Sequence, residues 1–202
     1  MKLYFSTGTI SMPCVMALYE ANIDCPIVEV SWKRNLNVEE LNKYSPLGKV
    51  PALVFDSGEV LTQTIAILTY LAELKPESGL LAAAGSLERA QTLSWMSLGL
   101  SDLWPKLALA FQSSKLTDDA RAQQQIRDFA RSTARPFLDH LGKHLEGKRY
   151  VMGATFTLAD CFFAAELPLL ELALGKFEND PEIRSYMVRL AERPSVQKAR
   201  AL

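Results

Sequence analysis

Residues 2–21 read KLYFSTGTISMPCVMALYEA, and this stretch decides the fold. Residues 2–5 form the short, mostly apolar run typical of a strand, and residues 13–21 have the character of a helix. The polar residues between them predict a turn from strand to helix. Because a helix N-terminus has unpaired backbone N–H groups and a partial positive charge, the segment Ser11-Met12-Pro13-Cys14 predicts an anion site.

The rest of the first 75 residues continues this alternation. Strands are predicted at residues 27–30, 52–55 and 58–61, and a helix at residues 63–74. Asp56-Ser57-Gly58 is a turn signal that makes the last two strands a hairpin, and Pro76 ends the helix. The order is βαβ followed by ββα, which predicts an α/β domain over residues 1–75 with a mixed four-stranded sheet.

The pattern changes near residue 76. A linker is predicted at residues 76–86, which contain Pro76, Gly79 and Gly85, and no convincing strand follows it. Apolar residues at helical spacing begin at residue 87, and further helices are predicted from about residue 117, from Thr157 and from Asp180. Residues 87–202 are therefore expected to form an all-helical domain.

Composition excludes several classes of protein. The chain has 202 residues, and its 22 basic and 23 acidic residues give a net charge of -1. That balance offers no attraction to nucleic acid or to an anionic membrane. The most apolar stretch, residues 162–174, is too short to span a bilayer, and three widely spaced cysteines fit a reducing compartment. We therefore expect a cytoplasmic protein that binds neither nucleic acid nor membranes.

The cysteines also bear on the chemistry of the first turn. In a βαβ–ββα domain, a Cys-x-x-Cys pair at the start of the first helix is typical of a thioredoxin-like redox protein, because its first sulfur becomes a low-pKa nucleophile. Here Ser11 occupies the first of these positions and Cys14 the second. Disulfide exchange is therefore disfavoured, and the site suits a thiolate that a ligand supplies.

Two further segments of the first domain point to ligand binding. In Gly48-Lys49-Val50-Pro51-Ala52-Leu53, a proline opens a strand and leaves the Val50 peptide group able to pair with an extended ligand. Gln63-Thr64 opens the last helix of the domain, where N–H groups and a side-chain amide would hold a carboxylate. Plain helix capping is the alternative for these two residues.

His140 and His144 have the spacing of a zinc pair on a helix. Leu138, Leu141 and Leu145 mark the buried face of that helix, so we expect both histidines to face water. No metal site is therefore predicted.

Four motifs, in this order, resemble those of the cytosolic glutathione S-transferases. Ser11 to Cys14 is similar to the activating-serine motif of theta-like members. Residues 45–53, SPLGKVPAL, resemble the NPxGKVPAL signature, and residues 61–67, LTQTIAI, resemble LTESxAI. Residues 156–160, FTLAD, resemble the family's Thr-x-x-Asp helix cap. The similarity covers nearly the whole chain and implies a thioredoxin-like N-terminal domain, an all-helical C-terminal domain and a homodimer.

The resemblance implies a glutathione site and assigns residues to it. Val50, beside a cis Pro51, would pair with the cysteinyl backbone of glutathione, and Gln63 and Thr64 would hold its γ-glutamyl carboxylate and amine. Ser11 would be the catalytic residue. Its hydroxyl would donate a hydrogen bond to the glutathione sulfur and so keep it as a thiolate.

Further residues would complete the site. Lys33 and Lys49 lie where the family often places cations for the glycyl carboxylate of glutathione. Asp102 is a candidate for the γ-glutamyl ammonium group, in its own protomer or across a dimer. Trp104 and Phe111 of the helical domain are expected to form the wall of an apolar pocket for the electrophile.

Other family members activate the thiol differently. Beta-class bacterial members carry a Cys next to this position and a His in the second domain, but Ile10 and Trp104 stand at the corresponding places, which argues against mixed-disulfide chemistry. Tyrosine-type members use a Tyr on the first strand, which would be Tyr4. Ser11 is favoured because its place in the turn matches the helix-end site, and its alternative role is a plain helix cap.

We therefore expect a glutathione transferase that adds the glutathione thiolate to small hydrophobic electrophiles, in detoxification, with glutathione as co-substrate. The alternative is a non-catalytic protein of the same fold that binds glutathione, another ligand or a protein partner. The atypical Ser45, Gln63 and Thr64 favour that alternative. A thiol-disulfide or dehydroascorbate-type reductase is disfavoured because Ser11 replaces the sulfur nucleophile.

Overall fold

The computed structural model describes all of residues 1–202. The first part of the chain contains β1 (Lys2–Phe5), α1 (Met12–Glu20), β2 (Ile27–Glu29), α2 (Val38–Tyr44), β3 (Ala52–Val54), β4 (Val60–Thr62) and α3 (Thr64–Leu74). A 3₁₀ turn at Pro76–Ser78 follows. The remaining helices are α4 (Leu87–Leu98), α5 (Trp104–Phe111), α6 (Ser113–Leu116), α7 (Ala120–Leu145), α8 (Leu158–Leu174), α9 (Pro181–Ala191) and α10 (Pro194–Arg200), with a π-helical segment at Gly99–Leu103 between α4 and α5.

The four strands form one mixed sheet in the order β2-β1-β3-β4. β1 runs parallel to β2, with Leu3 opposite Ile27, and antiparallel to β3, with Leu3 opposite Leu53. β3 and β4 form the predicted hairpin. The predicted fold class, a thioredoxin-like α/β domain followed by an all-helical one, is confirmed.

The sheet separates two layers of apolar side chains. Because successive side chains of a strand point to opposite faces, Leu3 and Phe5 pack into the main core with α1 and α3, whereas Tyr4 faces the other way. Tyr4 packs there with Leu41 of α2 and with strand residues of a smaller cluster. The side of β1 that bears Tyr4 is thus remote from the helical domain.

The two domains share one continuous core. α8 packs against α1, α4 and α5, and α10 packs against α1. Their buried side chains belong to the same apolar cluster as those of β1 and α3. This packing places the turn between β1 and α1 beside the helical domain. No helix of the structure, α8 included, is long and apolar enough to cross a bilayer.

Thr157 and Asp160 form the predicted cap of α8. The carboxylate of Asp160 accepts hydrogen bonds from the backbone N–H of Thr157 at 2.7 Å and of Val151 at 3.0 Å. The Tyr186 hydroxyl, on α9, donates to the same carboxylate at 2.6 Å. The two residues therefore act in structure, as predicted, and they also tie α9 to the start of α8.

The structure contains three helical features that the sequence pattern does not predict. α2 lies within a stretch read only as polar, and α10 is too short to show a helical period. The predicted helix after residue 87 is interrupted by the π-helical segment. Pro105 explains the interruption, because it has no N–H to donate to the carbonyl of Ser101 and its ring would clash with it. The neighbouring carbonyl of Asp102 instead accepts a hydrogen bond from the Lys106 ammonium.

Candidate functional site

A cavity of ≈ 390 Å³ lies between the two domains. Three loops of the α/β domain and the segment joining α4 to α5 surround it. Its lining residues are Ile10, Ser45, Pro46, Leu47, Lys49, Val50, Pro51, Thr62, Gln63, Thr64, Leu100 and Trp104. The structure therefore brings together five of the predicted binding residues, Lys49, Val50, Pro51, Gln63 and Thr64.

The loop before β3 presents an unpaired backbone to this cavity. The Val50–Pro51 peptide bond is cis, as the resemblance implies. Neither the N–H nor the carbonyl of Val50 makes a hydrogen bond within the chain. Ser45 holds the loop, because its hydroxyl donates to the Lys49 carbonyl at 2.9 Å and accepts from the Lys49 N–H at 3.2 Å. An extended peptide can therefore pair with Val50 as an added strand would.

The start of α3 forms the second wall. Gln63 has φ 74°, a left-handed conformation that a residue other than glycine rarely adopts and that costs on the order of 1–3 kcal/mol. Thr64 is buried, and its hydroxyl donates to the carbonyl oxygen of Ile10 at 3.1 Å. The first N–H groups of a helix have no intrahelical partner, so this corner can receive a carboxylate.

The turn between β1 and α1 forms the third wall, and the structure places Ser11 inside it. The Ser11 hydroxyl accepts a hydrogen bond from the Ser6 N–H at 2.9 Å, lies 3.2 Å from the Ser6 carbonyl, to which it donates, and 2.8 Å from the hydroxyl of Thr9. The side chain is fully buried and does not line the cavity. Ile10 lines it instead. The backbone N–H groups of Thr9 and Ile10 have no hydrogen-bond partner in the chain.

Two other candidates for thiol chemistry lie away from the cavity. Tyr4 is buried on the opposite face of the sheet, where its hydroxyl donates to Glu40. Burial and the Glu40 carboxylate raise the pKa of that phenol. Cys14 is also buried, and burial raises the pKa of its thiol far above the usual range. Neither side chain is therefore placed to activate a ligand in the cavity, and disulfide exchange through Cys14 stays disfavoured.

The structure disperses the remaining predicted residues. Trp104 lines the cavity at the start of α5, but Phe111, at the end of that helix, is 45% exposed and does not line it. Trp104 and Phe111 thus do not form one pocket wall. Lys33 and Asp102 are exposed and lie outside the lining set.

Some lining residues were not predicted as part of the site. Pro46 and Leu47 lie inside the recognised SPLGKVPAL motif, and Thr62 directly precedes Gln63, so proximity to a motif is a signal for these three. No neighbouring motif marks Leu100 as a lining residue, because the direction of its side chain depends on the π-helical segment.

The histidine pair lies on α7 and does not line this cavity. His140 stacks on Trp95 with ring centroids 5.1 Å apart. The prediction that both imidazoles face water is wrong for His144, which is half-buried and donates from Nε2 to the Val151 carbonyl at 2.8 Å. Burial is the main reason that the pKa of His144 lies below its usual value.

Comparison with known proteins identifies the family. Residues 9–74 match the N-terminal domain, and residues 108–200 the C-terminal domain, of glutathione S-transferase. The chain is 29% identical over 201 residues to glutathione S-transferase GstA of Escherichia coli O157:H7, which covers 98% of this chain and 96% of that protein.

Solved structures extend the similarity to the whole fold. A sphingomonad glutathione S-transferase complexed with glutathione has a TM-score of 0.86 and 31% identity over 100% of this chain and 98% of its own. A beta-class glutathione S-transferase of Sphingomonas chungbukensis has a TM-score of 0.86 and 29% identity, with the same coverage of both chains. With both domains matched and the cavity formed by the motif residues, the chain belongs to the glutathione S-transferase family.

Proposed function

We propose that this protein transfers the glutathione thiolate to small apolar electrophiles. The observation that carries the proposal is the unpaired Val50 backbone beside the cis Pro51, which faces the starts of α1 and α3 across one cavity. Val50 would pair with the cysteinyl residue of glutathione, and Gln63 and Thr64 would hold its γ-glutamyl group. The sulfur would then reach the turn before α1.

The start of α1 would keep that sulfur ionised. Lowering the pKa of a thiol from about 8.5 to below 7 takes about 2 kcal/mol of preference for the thiolate. A helix N-terminus contributes about 0.3–1 kcal/mol, and up to about 2 kcal/mol when it is partly buried. One hydrogen bond to a charged acceptor adds about 1.5–3 kcal/mol. The helix end and one donor together are therefore sufficient.

Ser11 and the turn's own backbone are the candidate donors. That the Ser11 hydroxyl donates to the sulfur stays a prediction. It requires the hydroxyl to break its hydrogen bond to the Ser6 carbonyl and to donate to the glutathione sulfur instead. The free N–H groups of Thr9 and Ile10 need no such exchange. We propose that they support the thiolate and that Ser11 acts with them or fixes the turn that presents them.

The charged ends of glutathione would meet side chains at the cavity rim. Lys49 lines the cavity and is the better placed partner for the glycyl carboxylate, whereas Lys33 lies outside it. Asp102 would reach the γ-glutamyl ammonium group in its own protomer or in a homodimer. We further propose a homodimer that acts in detoxification, as the family resemblance implies. A cytoplasmic location is proposed because the three cysteines are free thiols, which suits a reducing compartment.

A second function has an observation of its own in its favour. Ile10, an apolar side chain, occupies the cavity wall where the sulfur is expected, and the nearby Ser11 hydroxyl is turned inward. A sulfur position with no side-chain donor suits a protein of this fold that binds glutathione without turning it over.

Two measurements separate these functions. We expect retention on immobilised glutathione together with conjugation of 1-chloro-2,4-dinitrobenzene, measured as thioether formation. Retention without conjugation above the uncatalysed rate supports the binding function, and absence of retention contradicts both.

A matched pair of lysine variants tests the location of the site. Both lysines are exposed, but only Lys49 lines the cavity. Because an exposed ion pair contributes about 0.2–1 kcal/mol, Lys49→Gln should raise the Kd of glutathione by a factor of roughly 1.4 to 5. Lys33→Gln should leave the Kd unchanged. Equal effects of the two substitutions contradict the proposed orientation of glutathione.

A further inference from the structure

Glu166 is a buried acid that the proposed reaction does not use. It lies in the middle of α8, its side chain is fully buried, and neither carboxylate oxygen has a hydrogen-bond partner. Charged groups in a protein interior are normally paired, because a buried ion without a partner is unfavourable. Burial alone raises the pKa of this carboxyl, to about 8. Near neutral pH the group is therefore held mainly as the neutral acid.

The carboxyl of Glu166 lies against the backbone of Gly99, the first residue of the π-helical segment. A Cβ built on Gly99 would lie 2.7 Å from Oε2 of Glu166 and closer still to the ring of Phe162. Phe162 and Glu166 are one helical turn apart on α8, so their side chains enclose Gly99 together. Because only a residue without a side chain fits there, the backbone of the π-helical segment touches the carboxyl directly.

Gly99 is also bonded to the wall of the glutathione cavity. The Trp104 N–H donates to the Gly99 carbonyl, one residue further back than in an α-helix. The side chain of Trp104 lines the cavity, and so does that of Leu100, which directly follows Gly99. One hydrogen bond and one covalent link thus connect the residue that Glu166 touches to the two cavity residues that the helical domain contributes.

No neighbouring charge compensates an ionised Glu166. α8 packs against α1, α3, α4, α5, α7 and α9, and no titratable group on these helices forms an ion pair or a hydrogen bond with Glu166. Titratable groups on each of these helices have other partners: Glu20 pairs with Arg193, Arg89 with Glu73 and Tyr186 with Asp160, while Lys106 donates to the Asp102 carbonyl and His144 to the Val151 carbonyl. Loss of the proton from Glu166 would therefore create an unpaired charge inside the protein.

We propose that Glu166 is a positioning residue of the glutathione site. Its neutral carboxyl seats Gly99 against α8, which holds Leu100 and Trp104 in the cavity wall, and its ionisation releases that wall. The inference rests on the proposed function. An ionised Glu166 has to reach water, and the π-helical segment is the neighbour that yields, because Pro105 deprives this segment of a hydrogen-bond donor. Glutathione binding should therefore weaken as Glu166 loses its proton.

The test measures the Kd of S-methylglutathione, whose sulfur has no proton to lose, by calorimetry between about pH 6.5 and pH 9. Glu166→Gln keeps the shape of the neutral acid and cannot ionise. The unmodified protein and this variant should have nearly equal Kd values at the lower pH. At the higher pH the Kd of the unmodified protein should be up to about tenfold above that of Glu166→Gln, because the binding-competent fraction falls as the pH passes the pKa of about 8. All other titrations are common to both proteins and cancel in this ratio.

Glu171→Gln is the matched control. Glu171 lies on the same helix, but its carboxylate accepts from the Phe177 N–H at 3.5 Å and does not line the cavity. This variant should keep the pH profile of the unmodified protein. A merely structural role of Glu166 would shift the Kd of Glu166→Gln equally at every pH, so a ratio that does not change with pH overturns the inference and leaves glutathione binding intact. Should Glu166→Gln not fold, Glu166→Met, which is of similar length and uncharged, serves in the same comparison.

A second measurement needs no glutathione. With 5-fluorotryptophan incorporated, the fluorine NMR signal of Trp104, assigned with Trp104→Phe, should move with a midpoint near the pKa of Glu166 and should stay fixed in Glu166→Gln. The exposed Trp32, in the other domain, is the internal reference. If the protein binds no S-methylglutathione at any pH, the proposed function fails, and this signal still decides on the wall. A shift confined to proteins that carry Glu166 supports its release, whereas a Trp104 signal that stays fixed, or moves alike in Glu166→Gln, refutes it.

Discussion

The hydroxyl of Thr64 donates a hydrogen bond of 3.1 Å to the carbonyl oxygen of Ile10, 54 positions earlier in the chain. Thr64 begins α3 and Ile10 lies in the turn before α1, so the bond fixes two walls of the glutathione cavity relative to each other. Thr64 is buried, which makes the loss of this bond costly. The same residue that is predicted to bind glutathione thus also positions the turn expected to hold its sulfur.

Replacing Thr64 by Val should uncouple these two walls. Valine keeps the shape of threonine but leaves the Ile10 carbonyl without its donor, so the free energy of unfolding should fall by about 1–3 kcal/mol. We expect kcat for conjugation to fall and KM for glutathione to rise, in steady-state kinetics with 1-chloro-2,4-dinitrobenzene. Thr64→Ser should restore both parameters because it keeps the hydroxyl. A KM effect without any change in kcat contradicts the coupling.

Substitution of Ser11 by Ala should have two separable effects. The buried Ser6 N–H loses its acceptor, which should lower the free energy of unfolding by about 1–3 kcal/mol. If the hydroxyl also supports the sulfur, the pKa of bound glutathione, followed by thiolate absorbance, should rise and turnover should fall. A loss of stability with an unchanged thiol pKa assigns Ser11 to the turn alone.

Tyr4→Phe is the control for this experiment. Tyr4 lies across the sheet from the cavity, and its hydroxyl donates to Glu40. The substitution should therefore leave the pKa of bound glutathione and kcat unchanged. Full activity of Ser11→Ala together with loss of activity in Tyr4→Phe would reverse the assignment.

Local signals in the sequence were sufficient to predict the sheet and the order of the domains. Short apolar runs, the Asp56-Ser57-Gly58 turn and Pro76 act over a few residues each, and the structure follows them. The predicted binding residues that line the cavity also lie in segments with such short-range signals. Val50, Pro51, Gln63 and Thr64 lie in two short segments whose backbone conformation places them there.

Side-chain direction at Ser11 could not be predicted in this way. A typical N-cap residue has an extended backbone, but Ser11 has φ -84° and ψ -18°, already helical, and makes no side-chain cap bond. Its hydroxyl therefore turns back toward Ser6. The direction of the hydroxyl depends on the backbone path of the preceding turn, which cannot be read from the type of any single residue.

The second domain shows a different limit. A π-helical segment adds a residue to a helical turn, which rotates everything after it by about 100° relative to an uninterrupted α-helix. The helical period of residues 87–107 contains no sign of this interruption, although Leu103 and Leu107, which follow it, are buried as the period predicts. Pro105 is the visible signal, since an interior proline disturbs the preceding turn.

Gly99, the first residue of that segment, should not tolerate a side chain. A Cβ at this position would lie 2.7 Å from the Glu166 carboxylate and against the ring of Phe162, both on the buried α8. Overpacking of this kind typically costs about 1–3 kcal/mol. We expect Gly99→Ala to lower the unfolding free energy by that amount and to weaken glutathione binding, because Leu100 and Trp104 line the cavity.

Gly142→Ala is the matched control. Gly142 also lies in a helix, and the nearest atom to its added Cβ would be a side-chain carbon of Ile183 at 3.9 Å, which is ordinary contact. Alanine is favoured over glycine in a helix interior, so this variant should be neutral or stabilising. Equal destabilisation by the two alanines in urea titrations contradicts the close packing at Gly99.

Glu166 should make the stability of the protein depend on pH. Both carboxylate oxygens are buried without a hydrogen-bond partner, and burial raises the pKa from 4.5 to about 8. The unfolded chain releases this proton near pH 4.5 whereas the folded chain keeps it to about pH 8, so stability should fall as pH rises through this window. The slope should be up to about 1.4 kcal/mol per pH unit, and it should vanish above the folded pKa.

Urea titrations of Glu166→Gln and Glu166→Leu between pH 5 and 9 measure this contribution. Both variants remove the ionisation and should flatten the dependence, so their advantage over the unmodified protein should be greatest at high pH. Leucine also removes the unpaired polar atoms and should be the more stable of the two. Glu192→Gln, at an exposed carboxylate with no ion pair, should retain the original slope. A Glu166→Gln protein whose stability falls with pH as steeply as before shows that Glu166 is already ionised, and therefore solvated or paired, in the folded chain.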